Sequence, residues 1–213
     1  MNPQAIMYAV EEWHADIITM SFGFDDEVTE ILKAIEFASK RALLLASASN
    51  SGGNAGIAWP ARCPDVVAIF ASNHEGNKYV RNPDPVGKQN FSVLGDHVEG
   101  WKPGTDGKEH RSGTSTAAPI AAGITAIILA VLRHGKIDFL ARLSEENRES
   151  ARERYNRALE KAKDAHRMRA VLEARFSALR DGYNYVSPWR HVNFERILHK
   201  TTLIEEIIQI LLA

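Results

Sequence analysis

Asp16-Ile17-Ile18-Thr19-Met20-Ser21 and Leu43-Leu44-Leu45-Ala46-Ser47-Ala48, with Ile31, Leu32, Ile35 and Ala38 between them, decide the fold class of this chain. Ile17, Ile18 and Met20 in the first run and Leu43 to Ala46 in the second are apolar without strict alternation, the mark of buried strands. The four residues between them share one helical face. Asp25, Asp26 and Glu27 stand where a helix N-terminus favours anions, and Lys40 and Arg41 stand near its C-terminus. Buried strands joined through a helix imply a parallel sheet covered on both sides, so the expected architecture is α/β in three layers.

The pattern extends outward in both directions. Ala5, Ile6, Ala9, Val10 and Trp13 predict a helix before the first strand, and Val66 to Ser72 predict a third strand. Asn73 to Arg111 is polar, with Pro83, Pro85 and Pro103, and reads as loops with short strands such as Asn90 to Leu94. Ser112-Gly113-Thr114-Ser115 opens an apolar helix expected to reach about Arg133, with Pro119 near its first turn. Composition changes near residue 138, so the chain divides into 1–137 and a charged helical extension, 138–213, packed on it. Within that extension residues 144–180 predict one amphipathic helix with Tyr155, Leu159, Ala162, Leu172, Phe176 and Leu179 on its stripe. That stripe suits either packing on the domain or a partner-binding coiled coil. Leu203 to Ala213 is a further apolar-faced helix.

Composition narrows the function classes. Twenty-six basic against 27 acidic residues give no electrostatic reason to expect nucleic acid or an anionic membrane as partner. The single cysteine, Cys63, excludes an internal disulfide framework and reads as a small buried hydrophobe. No acidic cluster has metal-ligand spacing, and Ser51-Gly52-Gly53 lacks the lysine of a phosphate loop, so neither a metal nor another cofactor is expected. The apolar run Ala117 to Leu132 falls short of the roughly 18–20 residues of a membrane span and is interrupted by Pro119, Gly123 and Thr125. No secretory leader pattern opens the chain, and an intracellular, cytoplasmic location is expected.

Chemistry concentrates at the carboxyl ends of the strands, where ligands gather on such sheets. Ser115 lies at a helix N-terminus, beside backbone N–H groups that lack intrahelical acceptors. Those donors suit an oxyanion formed when the hydroxyl attacks a carbonyl; equally, the stretch suits a helix cap with small packing residues. Asn50 follows the second strand, and its amide is placed either to donate a second oxyanion hydrogen bond or to make an ordinary turn. Ser21-Phe22-Gly23 ends a strand without bulk, where a peptide can add by strand pairing.

Four motifs stand in one order: Met20-Ser21-Phe22-Gly23, Ala48-Ser49-Asn50-Ser51-Gly52, Trp59-Pro60-Ala61, and Gly113-Thr114-Ser115-Thr116-Ala117-Ala118-Pro119 on to Gly123. Together they resemble the subtilisin-like serine peptidases, or subtilases. The resemblance implies an endopeptidase with Ser115 as nucleophile, Asn50 as oxyanion donor and Ser21, Phe22 and Gly23 as a wall of the substrate pocket. Ser49 replaces the family's glycine and is expected to crowd the loop; Ile120 stands where many members carry histidine.

The family's D-[ST]-G and H-G-T-H signatures, which carry the catalytic acid and base, do not occur in this sequence. The resemblance thus implies the C-terminal part of a catalytic domain, incomplete on its N-terminal side. This chain alone is expected to be inactive and to need a missing N-terminal half as partner. The alternative is a non-catalytic peptide- or protein-binding remnant. His97 and His110 lie nearby in sequence, but with no evident carboxylate to orient them, and His14, His134 and His166 read as surface or packing residues. Asp181-Gly182-Tyr183-Asn184-Tyr185-Val186-Ser187-Pro188-Trp189 resembles the tail of a fungal intracellular branch.

Overall fold

The computed structural model describes residues 3–191 and 201–213. After helix α1 (Pro3–Glu11), the chain enters strand β1 (Ile17–Met20), crosses through α2 (Thr29–Ala38), and returns as β2 (Leu43–Ser47) and β3 (Val67–Ser72). Strand β4 (Phe91–Leu94) follows, then an antiparallel pair of its own, β5 (Val98–Trp101) with β6 (Lys108–Arg111). The long helix α3 (Thr114–Ala141) comes next, then α4 (Glu145–Lys161) and α5 (Ala165–Val171). Strands β7 (Ser177–Arg180) and β8 (Tyr183–Val186), the short α6 (Pro188–His191) and α7 (Thr201–Leu212) complete the described chain.

The main sheet runs β1-β2-β3-β4-β8-β7, parallel throughout except for the β7–β8 hairpin. Strand β2 shows why its run is apolar at every position. Leu43 and Leu45 enter the core beneath α3, α4, α5 and α7, whereas Leu44 and Ala46 enter the core formed with α1 and α2. A strand covered on both faces has no water-facing set of residues. The three-layer α/β expectation holds.

Four expectations are corrected. First, α2 begins at Thr29, so Asp25, Asp26 and Glu27 lie in the loop before it. Phe24 exchanges two backbone hydrogen bonds with Trp59, at 2.7 and 2.9 Å, and Arg62 donates to the Asp25 carbonyl at 2.7 Å. These contacts hold the chain away from helical geometry until Asp25 is passed.

Second, α3 continues to Ala141 rather than ending near Arg133. Its far half is covered by later elements: Tyr155 Oη donates to the Leu132 carbonyl at 2.6 Å, and the Phe139 and Tyr155 rings lie 5.3 Å apart. At 28 residues this helix is long and apolar enough to cross a bilayer by length and composition, yet Ala117, Ala121, Ile124, Ile128 and Leu132 bury one face against the sheet.

Third, Pro119 is the sixth residue of α3, beyond its first turn.

Fourth, residues 144–180 are not one helix. The chain breaks after α4, where Asp164 caps α5 by accepting the Arg167 N–H at 2.9 Å. A single π-helical turn, Leu172–Phe176, leads into β7. Asp181 and Gly182, both at positive φ, close the hairpin, and every residue of β8 is buried in the main sheet against β4. Leu179, expected on the buried stripe, is 73% exposed.

Candidate active site

The loops leaving β1 and β2 and the start of α3 meet around one cavity of about 430 Å³. Ser21, Phe22, Gly23, Asn50 and Ser115, separated by up to 94 positions in sequence, all line it. The structure therefore gathers every residue singled out at the rim.

Each is fixed by a specific contact. The Asn50 carboxamide is tied to the helix start: its Oδ1 accepts the Thr114 N–H at 2.8 Å and the Thr114 hydroxyl at 3.3 Å. With Oδ1 engaged, the Nδ2 donors are the hydrogen-bonding groups this side chain has left to offer. Gly113 makes that approach possible, because a Cβ there would stand 3.0 Å from both terminal atoms of Asn50. Ser49, expected to crowd the loop, instead uses its hydroxyl to accept the Ser51 N–H at 3.2 Å.

Ser115 is the second residue of α3, and its N–H is among the first-turn donors without an intrahelical acceptor. Its carbonyl is also unusual. In a regular helix that oxygen accepts from the residue four positions on, which here is Pro119 and has no N–H. The Ser21 hydroxyl takes the vacant place, donating to the Ser115 carbonyl at 3.0 Å. One wall of the cavity thereby holds the helix turn that carries Ser115. The signal was in the sequence, as a proline four residues after the serine, but the donor was not.

Gly23 lets the β1 loop lie against the β2 loop; a Cβ there would meet the Ala58 Cβ at 2.7 Å. Trp59, 2% exposed and joined to Pro60 by a cis peptide, packs behind Phe24. Cys63 is buried as expected, and burial pushes its thiol pKa up, away from a reactive thiolate.

His97 does have an orienting carboxylate, contrary to expectation. Its Nδ1 lies 2.9 Å from Asp96 Oδ1, which also accepts the Ser112 hydroxyl at 2.7 Å, while Ser112 Oγ accepts the His97 N–H at 2.9 Å. The carboxylate is the sequence neighbour of His97; what only the return of the chain after β6 adds is Ser112, which ties the two together. Neither His97 nor His110 lines the cavity, and among its described lining residues there is no histidine.

A serine at a helix start and a carboxamide anchored beside it in one cavity are together suited to acyl transfer at a carbonyl. The subtilase family model matches residues 2–163, and the chain belongs to that family. It is 29% identical over 133 residues to a thermostable alkaline protease of Halalkalibacterium halodurans, covering 59% of this chain and 34% of that protein. It is 33% identical over 122 residues to the minor extracellular protease Epr of Bacillus subtilis, covering 53% of this chain and 17% of that protein. The chain therefore spans about a third or less of these relatives' lengths. Among solved structures, the prenylagaramide maturation protease PagA superposes with a TM-score of 0.63 at 24% identity, over 98% of this chain and 66% of that one. That likeness shows the fold.

Proposed function

We propose that this chain is the nucleophile- and oxyanion-bearing part of a subtilisin-like serine endopeptidase. Ser115 Oγ bonds to the carbon of a peptide carbonyl, and its proton passes to a histidine supplied by a segment that this sequence does not contain. Asn50 Nδ2 and the Ser115 N–H hold the oxyanion; the carbon–nitrogen bond then breaks, the histidine returns the proton to the leaving amine, and water releases the acyl group. The observation that carries the reading is the Asn50–Thr114 hydrogen bond, which fixes the carboxamide beside Ser115 in one cavity. Without an acid and base, residual acceleration over water is about 10³–10⁴-fold, too small to register as proteolysis. The chain alone is inactive in this reading, and its partners are a peptide substrate and the segment bearing the catalytic acid and histidine. Its tail run, Asp181 to Trp189, supports assignment to a fungal intracellular branch and an intracellular location.

A serine-directed fluorophosphonate tests the proposal. Ser115 is expected to stay unlabelled in this chain alone and to label when a subtilase segment bearing the catalytic acid and histidine is supplied with it, the label vanishing in Ser115→Ala. Labelling of the chain alone overturns the inactivity. Failure to label in either form favours the non-catalytic, peptide-binding alternative.

A further inference from the structure

The loop that presents Asn50 continues as Ser51-Gly52-Gly53, and glycine loses more conformational freedom on ordering than any other residue. Gly52 stands at φ 86°, and a Cβ there would point into open space. Order comes to it from another loop: the Gly52 N–H donates to the Arg81 carbonyl at 3.1 Å. A Cβ at Gly53 would stand 2.8 Å from Asp84 Oδ1, so the two loops lie in close contact. The supporting loop is itself pinned at two points. Asn82, 4% exposed, uses both ends of its carboxamide on β3, accepting the Ala71 N–H at 3.1 Å and donating to the Ala71 carbonyl at 2.7 Å. The next residue, Pro83, offers its carbonyl to the Tyr183 hydroxyl, which donates at 2.5 Å. Tyr183 lies in β8, buried, with its ring 5.0 Å from that of Phe70. Burial, and then the carboxylates of Asp84 and Asp181, push its hydroxyl pKa up to about 12, so it stays a donor at neutral pH.

We infer that Tyr183 is a positioning residue for the oxyanion carboxamide, acting through Pro83, Arg81 and Gly52 on the loop that carries Asn50. Composition assigns residue 183 to the charged extension, and the family match ends at residue 163. Yet the Tyr183 contact falls two residues from Arg81, and the Arg81–Gly52 bond falls two residues from Asn50. Oxyanion donors stabilise developing charge only where they are preorganised. A loop that drifts therefore weakens the hydrogen bond even with Asn50 intact. The inference rests on the peptidase reading given above and adds the source of the site's rigidity, a strand of the C-terminal region.

Tyr155 supplies a matched control for the test. It too is buried and donates to a main-chain carbonyl, that of Leu132, but it does not line the cavity or touch either loop's hydrogen bonds. Tyr183→Phe and Tyr155→Phe each delete one hydroxyl. Hydrogen–deuterium exchange, read by mass spectrometry on peptides spanning 49–55, is expected to quicken about three- to tenfold in Tyr183→Phe and to keep the parent's rate in Tyr155→Phe. The three chains are then supplied with a subtilase segment bearing the catalytic acid and histidine and treated with a serine-directed fluorophosphonate. Labelling of Ser115 is expected to be about three- to tenfold slower in Tyr183→Phe and unchanged in Tyr155→Phe. Exchange over 49–55 that stays at the parent's rate in Tyr183→Phe overturns the inference. Equal quickening in both variants also overturns it, because that marks a general loss of stability. Quickened exchange with labelling at the parent's rate overturns the positioning role and leaves the peptidase reading intact. No labelling of the parent overturns the peptidase reading, and the purpose assigned to Tyr183 with it. Circular dichroism of each variant checks that it is folded.

Discussion

The smallest units that matter here are single hydrogen bonds at the start of α3. The Ser21 hydroxyl replaces the donor that Pro119 lacks, so the side chain that walls the cavity also steadies the Ser115 turn. Ser21→Ala is expected to cost about 0.5–1.5 kcal/mol in thermal or denaturant unfolding, the net worth of one such bond. Ser21→Thr, which keeps the hydroxyl, is expected to recover most of that loss; an unchanged Ser21→Ala would show that water satisfies the carbonyl equally well. Gly113→Ala belongs to the same scale. Its new methyl meets the Asn50 carboxamide, and Gly113 sits at φ 141°, so a loss of about 1–3 kcal/mol is expected from the clash and the backbone together.

Between elements, one acidic side chain joins three pieces of chain. Asp16, just before β1, lies 2.6 Å from the Arg133 guanidinium on α3 and 2.7 Å from the Lys163 ammonium in the turn between α4 and α5. The Arg133 hydrogen bond and then Lys163 hold the Asp16 carboxyl down at about 2, against its ordinary 3.8, despite partial burial. A lowered folded pKa stabilises wherever the unfolded state binds more protons. The contribution is therefore complete above the ordinary value and is lost as pH falls through about 2. Asp16→Asn is expected to cost about 1 kcal/mol at neutral pH, kept small because Arg133 is half exposed and solvent screens the pair. The melting temperature of the variant should fall less steeply than the parent's on acidification below the ordinary carboxylate range. Parallel acid limbs would show that the cluster does not couple to folding. Tyr155 is the comparable link between α3 and α4. Burial pushes its hydroxyl pKa up to about 12, and it donates to Leu132 throughout the physiological range.

At the scale of the whole molecule, the sheet has an open side. β1 pairs only with β2 among the described residues, and Thr19 is exposed. On α3, Gly123, Ala126, Ile127 and Ala130 are exposed on the helix that bears Ser115. An unpaired edge and an apolar helix face are both adhesive in water. The chain studied by itself is expected to self-associate, its apparent mass rising with concentration in sedimentation or light scattering. Ile127→Asp is expected to reduce that association without altering the circular dichroism spectrum. A monomer at all concentrations with a sharp cooperative melt would show that neither surface is adhesive.

The sequence by itself determined the class of fold and the order of the site motifs, since both are local. A run such as Leu43 to Ala48, apolar but for Ser47 and bounded by turn residues, suits a strand covered on both faces, and glycine, serine and proline at fixed spacing mark strand ends and a helix start. It also holds a hairpin turn, Asp181-Gly182 between two β-forming runs, which the charged helical pattern before it masks. Only the tertiary structure decided the rest. It started α2 late through the Phe24–Trp59 pairing, lengthened α3 by covering it with Tyr155 and α7, and set Asp96 against both His97 and Ser112. It alone put the Ser21 hydroxyl on the Ser115 carbonyl and the Asn50 carboxamide on the Thr114 N–H. Apart from Asp96 and His97, which are neighbours, those contacts join residues well separated in the chain, and local pattern carries no record of which distant side chain arrives.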